Sequence, residues 1–419
     1  MINRLNQPDL VELEQIEFVE PIKYQLTDKV NLYHMKDVPN ETTRLDLYFD
    51  AGKCKGSIGI PSFVNGLLLS GTIEKTSIQI NGEINSLGGF FDSGVAMENS
   101  VISIYCLKEN LKEIFNTLIN AIQKTAFIEK EVKEYLADRK QSFNINLKKV
   151  GFLAQRKFQN KLFISNSFYA STINEEDIDK ITIDDLKKFH EENYVNGLNK
   201  IVLVGDINDN DVQYVLANCR SIATSDSCVI DSNLINTPSV SHVPLPGALQ
   251  SAVKIGRILF NKKHEDYLDF MVLNTILGDY FGSRLMSNIR EDKGYTYGIG
   301  SNVAEFNDSG YFIISTEVGK DVKDATLEEI KNELARLQNE LVPDSELELI
   351  KNYILGQILK SADGPYAMMD LFLSADIHGL SIDFYNQAIY AVKEITPERI
   401  QELAKKYLNW DEMVIVTAG

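Results

Sequence analysis

Side chains able to bind a transition metal are sparse in this sequence, and their spacing forms no local site. The chain has five histidines, no two of them within five positions of each other: His34, His190, His242, His264 and His378. A helical zinc site usually needs two histidines one turn apart, because that spacing puts both rings on one face. The sequence therefore predicts no local metal centre, and leaves open a site assembled from residues distant in sequence.

Other local catalytic patterns are absent from the sequence as well. No Gly-x-x-x-x-Gly-Lys-Ser/Thr phosphate loop is present, and no serine lies within Gly-x-Ser-x-Gly. The 60 acidic and 42 basic side chains give a formal net charge of −18. Such a charge repels phosphate backbones and anionic lipids, so neither a nucleic acid nor a membrane surface is expected as a partner.

The N-terminus and the cysteines favour a reduced, cytoplasmic environment. The first residues lack the apolar run of a signal peptide, and no stretch of about 18 uninterrupted apolar residues predicts a spanning helix. The cysteines form no Cys-x-x-Cys pair and are expected to be free, partly buried thiols: Cys54, Cys106, Cys219 and Cys228.

The elements that must position any site are predicted to form two repeats. Residues 221–247 are rich in Ser, Thr, Asp, Asn and Pro, and this composition is typical of an interdomain linker. We therefore expect a first domain over residues 1–220 and a second over 248–419. The helical pattern of Ile181–Phe189 recurs about 210 residues later in Ile395–Leu403, which indicates a duplicated domain.

Further elements repeat with the same period. An amphipathic helix carries apolar residues at helical spacing in each half, as Leu111, Ile114, Phe115, Leu118 and Ile122 and as Leu327, Ile330, Leu334, Leu337 and Leu341. Both helices follow a predicted strand, and Leu45–Phe49 alternates apolar with polar residues. The sequence thus predicts an α+β fold of two duplicated domains, each a mainly antiparallel sheet with helices on one face.

Two segments resemble a known family. Phe281–Ile299 resembles the C-terminal-domain signature of the insulinase/pitrilysin-like zinc metallopeptidases, which include enzymes like the mitochondrial processing peptidase, and Pro246–Ser251 resembles the segment leading into that domain. The resemblance implies that the two domains form half of a clamshell around peptide substrates. It also implies catalytic roles, in trans with a partner, for Arg290 and Tyr297: the Arg would hold substrate carbonyls, and the Tyr hydroxyl would donate to the oxyanion.

The zinc motif of active family members is missing here. The resemblance places Ser62, Asn65 and Gly66 where His-x-x-Glu-His has its first His, its Glu and its second His. It places Ser142 where a Glu on a later helix would be the third ligand. Ser is a poor zinc ligand, Asn has no basicity and Gly has no side chain, so metal is expected only in a partner.

The segment around Phe91, Asp92 and Ser93 resembles the strand that pairs with extended substrate in active members. Pairing at a sheet edge uses backbone groups, so peptide binding could outlast the loss of catalysis. An ordinary structural edge strand is the alternative.

Three functions follow from these expectations. The first is a non-catalytic subunit of a peptidase heterodimer, inactive alone, which supplies Arg290 and Tyr297 to a homologous zinc-bearing subunit. The second is an inert peptide-binding or scaffold protein of the same fold, and the third is a hydrolase with unrelated chemistry. A homodimer in isolation is expected to be inactive, since neither copy carries the zinc motif.

Overall fold

A computed structural model describes residues 12–36, 41–163, 167–170, 172–223 and 234–419. Cys228 and residues 224–233 of the predicted linker lie outside the described residues, whereas Cys54, Cys106 and Cys219 are buried and form no disulfide with one another. No helix in these ranges combines the length and apolarity needed to cross a membrane.

Eleven strands in the described ranges form two sheets. The bounds are β1 Ile22–Gln25, β2 Asn31–Met35, β3 Thr42–Phe49, β4 Phe90–Val95, β5 Ser100–Leu107, β6 Leu198–Val204, β7 Ser239–Val243, β8 Gln250–Leu259, β9 Thr296–Glu305, β10 Gly310–Gly319 and β11 Val414–Ala418. The first sheet has the order β1-β2-β6-β3-β5-β4 and the second β7-β11-β8-β10-β9. Apart from β1 the two orders correspond strand for strand, and only β2–β6 and β7–β11 pair in parallel. The predicted duplication and the α+β class are confirmed.

Fifteen α-helices lie in the described ranges. The bounds are α1 Ile60–Leu67, α2 Ser77–Ser86, α3 Leu111–Gln123, α4 Glu129–Asn146, α5 Val150–Leu162, α6 Ser167–Ala170, α7 Glu175–Asp179, α8 Ile183–His190, α9 Asp209–Cys219, α10 Tyr267–Leu277, α11 Lys323–Asn339, α12 Asp344–Ser361, α13 Pro365–Asp376, α14 Phe384–Glu394 and α15 Pro397–Tyr407. Two further segments are π-helical, Glu191–Val195 and Met286–Asp292. The first carries Tyr194 and the second carries Arg290.

The predicted amphipathic helices form because their apolar stripes reach the sheets. All five predicted core residues of α3 are buried. The stripe of α11 ends earlier than predicted, because the helix ends at Asn339 and Leu341 lies beyond it, about half exposed. At the repeated helix starts, Thr182 and Thr396 cap α8 and α15 by accepting a backbone N–H three residues on.

Each sheet is also covered on its second face by a helix from the other half of the chain. Helix α5 packs against β8 and β11, where Phe158 is fully buried with Val414 and Val416. Helix α13 packs against β2 and β6, where Met369 is fully buried. This exchange ties the two halves together and was not predicted from the sequence.

The described part of the predicted linker contributes a strand. β7 lies within residues 221–247 and pairs in parallel with β11, from Val414↔Ser239 to Ala418↔Val243. Its serines and its flanking prolines are typical of a loop, so the sequence did not predict this strand. The strand forms because β11 offers an edge whose backbone groups need partners.

Candidate functional site

Helix α1 carries Ser62, Asn65 and Gly66, the residues predicted to stand at the positions of the zinc motif. It follows Gly59, whose φ of 90° favours glycine, and Pro61 lies in its first turn. Ile60, Val64 and Leu67 anchor the helix in the core of the first half. The helix therefore persists through Gly66 despite the poor helix propensity of glycine.

Asn65 is fixed in a hydrogen-bond network and is buried. Its amide oxygen accepts from the Ser93 hydroxyl at 3.1 Å, and its amide nitrogen donates to the Tyr194 hydroxyl at 3.1 Å. Burial raises the pKa of Tyr194 to about 12, so this phenol stays protonated. Asn65 therefore connects α1, β4 and the π-helical segment that carries Tyr194, and it offers no proton acceptor to a substrate.

The space beside Gly66, predicted to be the position of the second zinc-binding His, is occupied by the side chain of Tyr135. A Cβ built on Gly66 would lie 2.0 Å from the Tyr135 hydroxyl of α4. The Tyr135 ring meets Phe63 edge-on at 6.0 Å between centroids, and the Arg139 guanidinium carbon lies 4.8 Å from its centroid. A histidine at position 66 could enter only if Tyr135 left this place.

Ser142, the predicted third position, lies on α4 two turns beyond Tyr135 and is exposed. The residue of α4 that meets Gly66 is Tyr135, so the assignment of Ser142 stays a prediction. Ser62 lies in the first turn of α1, partly exposed.

A cavity of about 400 Å³ opens beside this helix. Its wall includes Asn65, Gly66, Phe91, Ser93 and Tyr135, and its α4 side carries Glu131, Glu134 and Asp138. The described residues contain no group of three or more His, Cys, Asp or Glu side chains arranged to hold a metal ion. Because Asn65 is hydrogen-bonded to Ser93 and Tyr194 and the Tyr135 hydroxyl lies against Gly66, the side chains beside α1 do not fit a zinc ion.

The predicted substrate strand is an edge strand. β4 lies at the end of the first sheet and pairs with β5, with Asp92 opposite Ser103. The backbone N–H of Ser93 donates to the Asp92 carboxylate at 2.9 Å. The strand therefore offers an edge for peptide pairing on which one donor is already engaged.

Arg290 lies in the π-helical segment Met286–Asp292, which Met286 and Ile289 anchor in the second core. Its guanidinium donates to the Glu291 carboxylate at 2.6 Å and lies 4.6 Å from the centroid of the Phe281 ring. Phe281 is itself 70% exposed. The cation thus lies on an aromatic face and also pairs with the Glu291 carboxylate, and both contacts are at the surface.

Tyr297 lies at the start of β9 and is 95% exposed. The backbone N–H of Tyr295 donates to the Ile289 carbonyl at 3.0 Å, which ties the Arg290 segment to the beginning of this strand. The structure thus places Arg290 and Tyr297 on adjacent segments of the second half, whereas Ser62, Asn65 and Gly66 belong to the first.

Sequence reasoning missed three residues of these surroundings: Tyr135, Tyr194 and Phe281. A glycine inside α1 signals that something approaches the helix closely. No sequence signal identifies Tyr135 as the residue that does so, because it lies 69 positions away on another helix.

Comparisons with known proteins identify the family and the fold. Residues 34–174 match the family model described as Insulinase (Peptidase family M16), and residues 180–354 match the one described as Peptidase M16 inactive domain. An uncharacterized zinc protease of Rickettsia bellii is 24% identical over 371 residues, or 83% of this chain and 82% of that protein.

Two further likenesses extend this picture. The mitochondrial-processing peptidase subunit alpha of Solanum tuberosum is 25% identical over 125 residues, which are 29% of this chain and 25% of that protein. The crystal structure of a peptidase M16 inactive domain from Pseudomonas fluorescens superposes with a TM-score of 0.86 at 22% identity, covering 96% of this chain and 98% of that one. Because the two family models together match most of the sequence, the chain belongs to the insulinase family of peptidases, peptidase family M16.

Proposed function

We propose that this chain is a metal-free subunit of a heterodimeric peptidase and supplies Arg290 and Tyr297 to the active site of a homologous, zinc-bearing subunit. The observation that carries the proposal is the exposure of Tyr297, 95%, beside an arginine held at the surface by Phe281. Among the residues that the structure describes, no contact accounts for so exposed a tyrosine at the start of a strand, whereas a partner's active site would.

The chemistry of the pair suits amide hydrolysis. Attack of water on a peptide carbonyl places negative charge on its oxygen, and a phenol hydroxyl aimed at that oxygen stabilises it. The arginine fork can hold neighbouring carbonyls of the extended peptide and so fix its register. This chain would supply both groups, while the zinc would be bound by the partner alone.

The degenerate first half supports this division of labour. Asn65 has no basicity and is engaged by Ser93 and Tyr194, and Tyr135 lies where a second His would be needed. We therefore expect the isolated chain, as monomer or homodimer, to cleave no peptide. The likeness to a processing-peptidase alpha subunit supports a partner that completes the site.

Peptide binding by this chain is a further part of the proposal. The open edge of β4 can add an extended peptide as a further strand, with Phe91, Asp92 and Ser93 at the contact. The cavity beside it would receive a side chain of that peptide. The net charge of −18 favours cationic peptides over acidic ones.

A tagged pull-down from the source cell, read by mass spectrometry, is the first test. The expected result is a stoichiometric homologue that carries His-x-x-Glu-His, and peptide cleavage by the reconstituted pair but by neither chain alone. Tyr297→Phe and Arg290→Ala should each lower kcat/KM of the pair by about 100-fold or more. Matched exposed controls are Tyr390→Phe and Arg220→Ala, which should leave cleavage unchanged.

Two results would contradict the proposal. If the pair forms and cleaves but both variants behave as the controls do, Arg290 and Tyr297 are inherited residues and the chain is a scaffold of the same fold. If the purified chain alone cleaves peptide and a chelator stops it, the assignment of Ser62, Asn65 and Gly66 as non-binding positions is wrong.

A further inference from the structure

The pairing of β9 with β10 is irregular at Tyr297. Thr316 lies opposite Ile299, but the next pair along the strands is Val318 with Thr296. Two residues of β9, Tyr297 and Gly298, therefore face the single residue Glu317. This is a β-bulge, and bulges turn the side chain at the bulged position away from the regular alternation of the strand.

Two threonine hydroxyls hold the bulge from both strands. Thr296 Oγ1 lies 2.8 Å from the Glu317 carbonyl and 2.9 Å from that of Gly298, and it accepts from the Gly298 N–H at 3.1 Å. Thr316 Oγ1 lies 2.9 Å from Thr296 Oγ1 and 3.0 Å from the Gly298 carbonyl. The backbone groups that the bulge removes from the ladder are thus satisfied by side chains.

We propose that Thr296 and Thr316 are positioning residues, which hold this bulge and thereby aim Tyr297 at the active site of the partner. The inference rests on the proposed function for the use of Tyr297, but on the bulge alone for its orientation. A ring that is 95% exposed has no packing to direct it, so the backbone of the bulge sets the direction in which the Tyr297 side chain leaves the strand. Gly298 beside it meets nothing within 4 Å of a built Cβ, which leaves the bulge room on its outer side.

The test uses Thr296→Val and Thr316→Val, which keep the β-branched shape and remove the hydroxyl. Thr296→Ser and Thr316→Ser are the matched controls, since they keep the hydroxyl. The first readout is the crystal structure of each variant. The second is cleavage by the pair with the zinc-bearing partner, with kcat and KM separated.

In the valine variants, either β9 and β10 should pair regularly or the Tyr297 side chain should no longer keep one orientation. Either change should lower kcat by about 10- to 100-fold and leave KM little changed. The serine variants should keep the bulge and retain near-parental kcat. In a Tyr297→Phe background the valine changes should have little further effect on kcat, because the hydroxyl they position is gone.

The outcomes separate the two proposals. An unchanged bulge and an unchanged Tyr297 in both valine variants would overturn the positioning role, whatever the activity. A displaced Tyr297 combined with a neutral Tyr297→Phe would keep the positioning role and instead overturn the catalytic use of Tyr297. Loss of kcat in valine and serine variants alike would also count against the hydroxyls.

Discussion

The hydroxyl of Ser93 donates to the amide oxygen of Asn65 at 3.1 Å, and the second half repeats this relationship, with Ser301 donating to Asn274 at 2.7 Å. In each half the asparagine lies on the first α-helix after a central strand, α1 after β3 or α10 after β8. In each half the serine lies on the edge strand opposite an isoleucine, Ile102 or Ile314. Asn65 thus makes the same link from helix to edge strand in the first half as Asn274 makes in the second.

We predict that Asn65→Ala and Asn274→Ala each lower the free energy of unfolding by about 1–3 kcal/mol, because each removes the amide oxygen that accepts from the hydroxyl of Ser93 or Ser301. Asn120→Ala on the exposed face of α3 is the matched control and should stay within about 0.5 kcal/mol, since it makes the same change of residue on a helix. Denaturant unfolding measures all three. If Asn65→Ala behaves like Asn120→Ala, the network around Asn65 is not structural.

The contact between Gly66 and Tyr135 predicts that Gly66→Ala changes the free energy of unfolding in opposite directions with and without the Tyr135 side chain. Gly66→Ala should destabilise the chain, because its Cβ would lie 2.0 Å from the Tyr135 hydroxyl. In a Tyr135→Ala background the same change should stabilise by up to about 1 kcal/mol, which is the helix propensity gained. A double-mutant cycle in denaturant gives the coupling, and an equal effect of Gly66→Ala in both backgrounds would show that Tyr135 does not fill this place.

The sequence was sufficient to predict the helices whose signals lie within a single segment of the chain. The stripe of α3 and the threonine caps of α8 and α15 follow from helical periodicity and capping chemistry, so these elements and their duplication were predictable. The assignment of Ser62, Asn65 and Gly66 to the lost zinc motif comes from the family resemblance and stays a prediction.

What the sequence could not show depends on which surfaces meet. The apolar face of α5 has no property that distinguishes the sheet of its own half from that of the other, so the exchange with α13 was not predictable. The Tyr135 ring against Gly66 and the Phe281 ring under Arg290 are contacts between separate segments. A bulge at Tyr297 depends on hydroxyls from two strands, which no single segment reveals.

Phe281 is expected to hold Arg290 in place through the face of its aromatic ring. In the reconstituted pair, Phe281→Leu should lower kcat/KM about 2- to 5-fold, because a surface cation–π contact contributes about 0.5–1 kcal/mol to holding Arg290. Phe281→Trp is the matched control and should retain full activity, since indole offers the better face. In an Arg290→Ala background Phe281→Leu should be silent; a loss of the same size there would mean that Phe281 contacts the partner or the substrate directly.

Asp266 predicts an acid-sensitive contribution to stability. Burial favours its neutral form, but hydrogen bonds from Lys406, Tyr407 and Arg399 outweigh this and hold the pKa of Asp266 well below its usual range. A depressed pKa in the folded state stabilises at pH above the unfolded value of about 4, and this contribution is lost as pH falls further.

We therefore expect Asp266→Asn to cost on the order of 3 kcal/mol at pH 7, because it leaves two cations without their buried partner. The cost should be clearly less near pH 3, because there the unfolded parent has taken up a proton on this carboxyl while the folded parent still holds it charged, and the parent has lost part of its advantage. Urea unfolding from pH 7 to pH 3 measures the difference. Asp324→Asn, at an exposed carboxylate, should show no such dependence. A cost that is the same at every pH would mean that the Asp266 charge is not what links α10 to α15.

The exchange of α5 and α13 predicts that the two halves unfold together. Phe158→Ala removes a first-half side chain from the second sheet, and Met369→Ala does the reverse. Each should cost about 2–5 kcal/mol, as for other fully buried side chains. Leu186→Ala, buried in the first half's own core, is the matched control and should cost a similar amount without crossing between the halves.

Trp410, the single tryptophan, reports on the second half, while far-UV circular dichroism reports on both. In the parent and in all three variants the two signals should change at the same denaturant concentration, because each exchanged helix belongs to one half by chain and to the other by packing. Separate midpoints for fluorescence and circular dichroism in the parent would show that the halves are independent units. Separate midpoints only in Phe158→Ala and Met369→Ala would show that these two side chains are what couples them.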